Sequence, residues 1–202
     1  LVRFFQSSGV VDRGEFGAFA KPMLEQLEIQ ALGWVTPVPL NQKAAAETQA
    51  RYQGLGEYTI WEQGPGGERT PSAERPLYYP IWYLEPLEGN AQMLGFDLGS
   101  EPAHRAALEA AAQTGLPTTA GPWALVGQEN QEVGLMVFAP VFSGESPAQT
   151  LQGFALLALQ FGPVLDSALA TGLPHNVAVQ RTFHQLQYGQ PIRFLAVHPP
   201  LG

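Results

Sequence analysis

Gly153-Phe154-Ala155-Leu156-Leu157-Ala158-Leu159-Gln160-Phe161 is the stretch that decides the fold, read with Gly134-Leu135-Met136-Val137-Phe138-Ala139-Pro140-Val141-Phe142 and Pro117 to Val126 before it. Three apolar runs of strand length, parted by polar loops, predict consecutive antiparallel strands of one sheet. Upstream, Ser100 and Glu101 followed by Pro102 open a helix that carries Ala103, Ala107, Leu108 and Ala111 and ends at Gly115. Further upstream, Leu77 to Leu87 is dense in aromatics (Tyr78, Tyr79, Trp82, Tyr83). Pro80 marks an edge or bulge in this strand, and Glu85-Pro86 its exit.

The N-terminal third follows the same mixed pattern. Phe16, Phe19, Met23, Leu24 and Leu27 fall at helical spacing, with Asp12 and Glu15 placed as a capping box. Ile29 to Val35 predicts a first strand, ended by Pro37 and Pro39. Leu40 to Gln53 predicts a solvent-facing helix with Glu47 and Arg51 four apart, stopped by Gly54 and Gly56. Tyr58 to Glu62 predicts a strand before the turn Gly64-Pro65-Gly66-Gly67. Beyond the sheet, a short helix is expected over Val164 to Ala170, then a hairpin of Val177 to Phe183 with Ile192 to Val197. The fold class is α+β. Gly 22 and Pro 18 in 202 residues, about 20% against a usual ~12%, agree with many turns and argue against a helical bundle.

Charge narrows the function classes. Ten Lys+Arg against 18 Asp+Glu give a net charge of −8, and no basic run exists, so nucleic acid is excluded as a partner. Residues 1–110 hold 14 acidic and 8 basic side chains and residues 111–202 only 4 and 2, so the C-terminal part is nearly uncharged. With no Cys there is no disulfide, thiolate metal site or Cys nucleophile. The most apolar stretch, Gly153 to Ala170, is interrupted by Gln160, Gly162, Pro163 and Asp166 and does not read as a bilayer span. Leu1 to Phe5 reads as the end of a helix, and the chain as a piece of something longer.

Catalytic constellations are lacking. His104, His175, His184 and His198 have no His four residues away, so no metal is expected. Only Asp12, Asp97 and Asp166 could complete a Ser-His-Asp triad, and no Ser lies in a G-x-S-x-G elbow. Glu85 and Glu88 are the one carboxylate pair that could serve a hydrolase, and they flank Pro86 in a turn, where carboxylates are usually solvated. The aromatic segments Tyr78 to Phe96 and Trp123 to Phe142 fit either plain core packing or an apolar ligand pocket.

Together, these residues resemble the CHASE domain. The resemblance is carried by Phe4-Phe5, Val11-Asp12-Arg13-Gly14-Glu15-Phe16, Ile29 to Val35 with Pro37, Tyr79-Pro80-Ile81, Glu85-Pro86-Leu87-Glu88-Gly89-Asn90 and Leu94-Gly95-Phe96-Asp97-Leu98. Arg105, Ala107-Leu108, Thr114-Gly115, Phe138 to Phe142 and Leu151-Gln152-Gly153-Phe154 continue it in order, from residue 4 to about 165. The resemblance implies an extracytoplasmic sensor domain of a histidine kinase or diguanylate cyclase, without enzymatic activity or cofactor of its own. It implies a stalk and linking helix over 1–27, a membrane-distal PAS-like ligand-binding domain over 28–162 and a membrane-proximal PAS-like unit over 163–202. A homodimer through the stalk helix is implied as well, with membrane attachment only through helices outside this chain.

The same resemblance implies the site. Plant cytokinin receptors bind the ring of their ligand with an Asp just before an Arg; here that position is His104, before Arg105, and an imidazole is not a carboxylate acceptor. Two further polar positions of those receptors fall on Ala120, beside Thr118 and Thr119, and on Phe138, and a backbone contact falls on Val126. The implied lining is Phe96, His104, Trp123, Val126, Met136 and Phe138, around an unknown small molecule that is apolar or differently polar from a cytokinin. Two rival expectations are a protein-interaction module using the low-charge C-terminal half, and a secreted hydrolase using Glu85 and Glu88.

Overall fold

Alternation along the apolar runs becomes pleat in the computed structural model, which describes residues 11–26, 29–124, 133–144, 149–160, 179–187 and 190–198 together with Val2 and Phe5. The runs form β7 (Thr118–Ala124), β8 (Val133–Ser143) and β9 (Thr150–Gln160). They pair antiparallel in succession, Thr119 opposite Val137 and Val137 opposite Leu157. On the other side of β9 lies β1 (Ile29–Val35), with Gly33 opposite Leu156, and β6 (Ile81–Glu85) closes the edge beyond it. The sheet order is β6-β1-β9-β8-β7, every pair antiparallel.

Each face of this sheet supports its own core layer. Met136, Phe138, Phe154, Leu156 and Ala158 point to one face and meet Ala107, Leu108 and Ala111 of α3 (Pro102–Thr114). Leu32, Trp34, Val141 and Ala155 point to the other and meet Phe16 and Ala20 of α1 (Arg13–Gln26). Full burial of Phe138 or Phe16 is worth about 2–3 kcal/mol each. The capping box of α1 is reciprocal: the Glu15 N–H donates to Asp12 Oδ1 (2.8 Å) and the Asp12 N–H to Glu15 Oε2 (3.1 Å).

Two local expectations change. Glu47 and Arg51 of α2 (Lys43–Tyr52) do not serve each other: Glu47 Oε1 accepts the Ile60 N–H (2.9 Å) and Arg51 Nη1 donates to the Tyr58 carbonyl (2.9 Å). With those backbone groups taken by side chains, the strand expected over Tyr58 to Glu62 shrinks to β3 (Trp61–Gln63), which pairs with β4 (Arg69–Pro71). Pro80 breaks the aromatic segment as its missing N–H requires. β5 (Leu77–Tyr78) pairs with β2 (Val38–Pro39), and Pro80 keeps only an isolated bridge to Asp97.

The segment Gly95 to Leu98 is wedged between β3 and β6. The Trp61 N–H donates to the Gly95 carbonyl (3.0 Å), the Gly95 N–H to Ile81 (2.9 Å) and the Asp97 N–H to Trp61 (2.8 Å). Gly95 has φ +79°, and a Cβ there would lie 2.1 Å from the Thr59 carbonyl oxygen, so only glycine fits.

The chain divides into two units, Leu1–Phe161 and Gly162–Gly202. In the second, β10 (Val179–Gln187) and β11 (Gln190–His198) form an antiparallel hairpin with Phe183 opposite Phe194. The helix expected over Val164 to Ala170 lies outside the described residues. Among the described residues no helix is long and apolar enough to cross a membrane.

Candidate functional site

A buried carboxylate positions α3. Asp97 is fully buried; its Oδ1 accepts the N–H groups of Tyr79 (2.8 Å) and Gly99 (3.0 Å), and its Oδ2 pairs with the Arg75 guanidinium, which also holds Glu62. Asp97 thereby caps the 3-10 turn Leu98–Ser100, and α3 begins two residues later with Pro102 in its first turn. Arg105 Nε donates to the Gly99 carbonyl (2.6 Å), locking the start of the helix to that turn. These contacts fix the rotation of α3, so that His104, Ala107, Leu108 and Ala111 are its buried residues.

His104 is the unusual member of that face. It is 7% exposed, and its ring meets Phe138 edge-on at 6.1 Å and 81°. Its Nδ1 is buried and without a hydrogen-bond partner among the described residues. Burial pushes the imidazole down to about 4, so it is neutral near pH 7. A buried polar atom without a partner costs about 1–3 kcal/mol, which a bound molecule with a matching donor or acceptor would offset.

Phe96, Met136 and Phe138 lie with this face in one core layer, Phe96 tilted against Trp61 at 5.0 Å. Of the remaining expected lining, Trp123 sits in β7 opposite Gly134, and Val126 lies outside the described residues. The structure thus brings Phe96, His104, Met136 and Phe138 together on the α3 side of the sheet. The aromatics of the Tyr78 to Phe96 segment divide between the layers: Tyr79 and Phe96 face α3, whereas Tyr78, Trp82 and Tyr83 belong to the α1 layer. Glu85 is half-buried, close to Gly17 of α1, and Glu88 is exposed in the following turn. Among the described residues no three His, Asp or Glu side chains cluster as metal ligands.

Sequence reasoning alone does not see two features. The Arg75 link between Asp97 and Glu62 joins residues 22 and 13 positions away and has no local signature. A cleft on the α1 side of the sheet, lined by Trp34, Trp82, Tyr83 and several Gln side chains, gathers residues from four separate segments. A family model described as the CHASE domain matches residues 9–191. No curated protein matches the chain.

Proposed function

Because the chain belongs to the CHASE domain family, the extracytoplasmic, sensory and non-catalytic domains of receptors, we propose that it binds a small molecule between α3 and the sheet and signals its presence across a membrane. The observation that carries this reading is the orphaned Nδ1 of His104, a hydrogen-bonding atom buried on the inner face of α3, where the ring meets Phe138 edge-on. The antiparallel order β6-β1-β9-β8-β7, with α3 packed on one face, supports a PAS-like reading of the larger unit. The parent is a histidine kinase or diguanylate cyclase, anchored by helices outside this chain and dimeric through its N-terminal helix. The unit Gly162–Gly202 is its membrane-proximal part.

In this scheme the ligand selects one of two arrangements of the sheet relative to the N-terminal helix. It can do so only through its differential affinity for them, and inverting a resting population of about 1% takes about 5.5 kcal/mol. A ligand present at about a hundred times its dissociation constant adds about 2.7 kcal/mol of stability, which for a unit of this size raises Tm by roughly 5–10 °C. The test is a thermal-shift screen of small metabolites, including cytokinins, amino acids and carboxylates, on the chain and on its His104→Phe variant. A hit that stabilises the chain and loses most of its effect in the variant supports the reading. A screen without hits, or one in which every stabilising compound is indifferent to His104, overturns it.

A further inference from the structure

The α1 side of the sheet carries a cleft of about 580 Å³, within the about 300–1,000 Å³ of small-molecule sites. Its floor is the buried rings of Trp34, Trp82 and Tyr83, and its walls come from Phe5 and Val11, from α2 and from the β8–β9 end of the sheet. None of its lining side chains carries a charge.

Amides provide its polarity, and one of them is fixed. Gln53 Oε1 accepts a hydrogen bond from Trp82 Nε1 (3.0 Å) and lies 3.3 Å from Tyr83 Oη, whose single proton is directed to the Val11 carbonyl (3.1 Å). An indole N–H only donates, so the amide atom facing it is the oxygen, and the NH₂ group of Gln53 is turned away from both rings. That NH₂ has no partner among the described residues. Gln152 is complementary: its Nε2 donates to Ser143 Oγ (2.7 Å), leaving its carbonyl oxygen as an acceptor. Gln49 is exposed at the rim.

We propose that this cleft is a second ligand site, distinct from the α3 side, and that it takes a neutral hydroxylated ring: a mono- or disaccharide. A charged ligand would lose water with no countercharge to meet it. A wholly apolar one would bury the Gln53 amide unpaired. A pyranose presents C–H groups to the small exposed parts of the lining rings, Trp34 being already stacked on Phe5 at 3.9 Å, and hydroxyls that donate to Gln152 and accept from Gln53. Occupancy would tie Phe5 and Val11 to the sheet, because both line the cleft with it.

The test titrates the 202-residue chain with neutral mono- and disaccharides at millimolar concentration, followed by tryptophan fluorescence and calorimetry, with glucuronate and glucosamine as charged controls. Gln53→Glu is the diagnostic variant: it keeps the oxygen that Trp82 binds and replaces the donor NH₂ by a second oxygen. Gln49→Ala changes an exposed rim residue and spares the fold. The expected result is saturable binding of at least one neutral sugar, weakened about tenfold by Gln53→Glu, the equivalent of one hydrogen bond, weakened several-fold by Gln49→Ala and unchanged by His104→Phe. Failure of every neutral sugar to bind overturns the proposal. So does binding indifferent to both Gln variants, equal binding of the charged sugars, binding lost in His104→Phe, or a solution dimer that covers the cleft.

Discussion

Replacing His104 by Leu should flatten the acid side of the stability curve. The native imidazole titrates at about 4 against 6.5 for the free side chain, and burial is the cause. Above pH 6.5 neither state holds the proton and His104 adds no pH dependence. Between about 6.5 and 4 the unfolded chain binds a proton that the folded chain refuses, so stability falls as pH falls; below about 4 both are protonated and the loss stops. At 1.36 kcal/mol per pKa unit the loss is about 3 kcal/mol. In His104→Leu this contribution vanishes, and the comparison of the two proteins isolates it. The difference in unfolding free energy should therefore move by about 3 kcal/mol in favour of the variant between pH 7 and pH 4. At pH 7 the variant also sheds the unpaired Nδ1, worth about 1–3 kcal/mol, against lost ring packing on Phe138. Urea unfolding followed by tryptophan fluorescence reads the larger unit, because all four Trp residues lie in it. Parallel pH curves for the two proteins would refute the reasoning, since they would mean that His104 titrates normally in the folded chain.

Gly95→Ala should destabilise the chain by at least about 3 kcal/mol in the same urea assay, because left-handed backbone strain adds to a 2.1 Å approach to the Thr59 oxygen; a change under 1 kcal/mol would contradict the wedge. Asp97→Ala should cost about 3–5 kcal/mol, leaving Arg75 half-neutralised and two buried N–H groups unpaired, and amide exchange at Tyr79 and Gly99 should accelerate. Asp12→Ala removes the acceptor of the Glu15 N–H and should cost about 1 kcal/mol, with far-UV circular dichroism following the loss of α1.

Local physics was legible in the sequence and long-range pairing was not. The Asp12–Glu15 box, the break at Pro80 and the three strands β7 to β9 depend on neighbours within a few residues or on simple alternation, and each forms as its residues require. The insertion of β1 between β6 and β9 depends on contacts more than a hundred residues apart, which no window of sequence contains. Glu47 and Arg51 have helical spacing for an ion pair, yet the backbone of Tyr58 and Ile60 offers each a partner that only the fold brings near. At the site, the family resemblance directs attention to His104; its isolation among apolar side chains, which makes it chemically interesting, is a property of how α3 is rotated by Asp97 and Arg105. The aromatic-rich segment around Trp82 reads as one apolar strip, and the pleat divides it between two layers with different chemistry.

The most direct measurement of the sensing claim is the methyl spectrum of the chain labelled at its three methionines, recorded with and without a small molecule from the screen whose stabilising effect is lost in His104→Phe. Met136 and Met93 lie in the α3-side layer, and Met23 packs on the opposite one. A ligand held between α3 and the sheet should shift Met136 and Met93 and leave Met23 in place. A stabilising ligand that moves only Met23, or none of the three, would contradict the account.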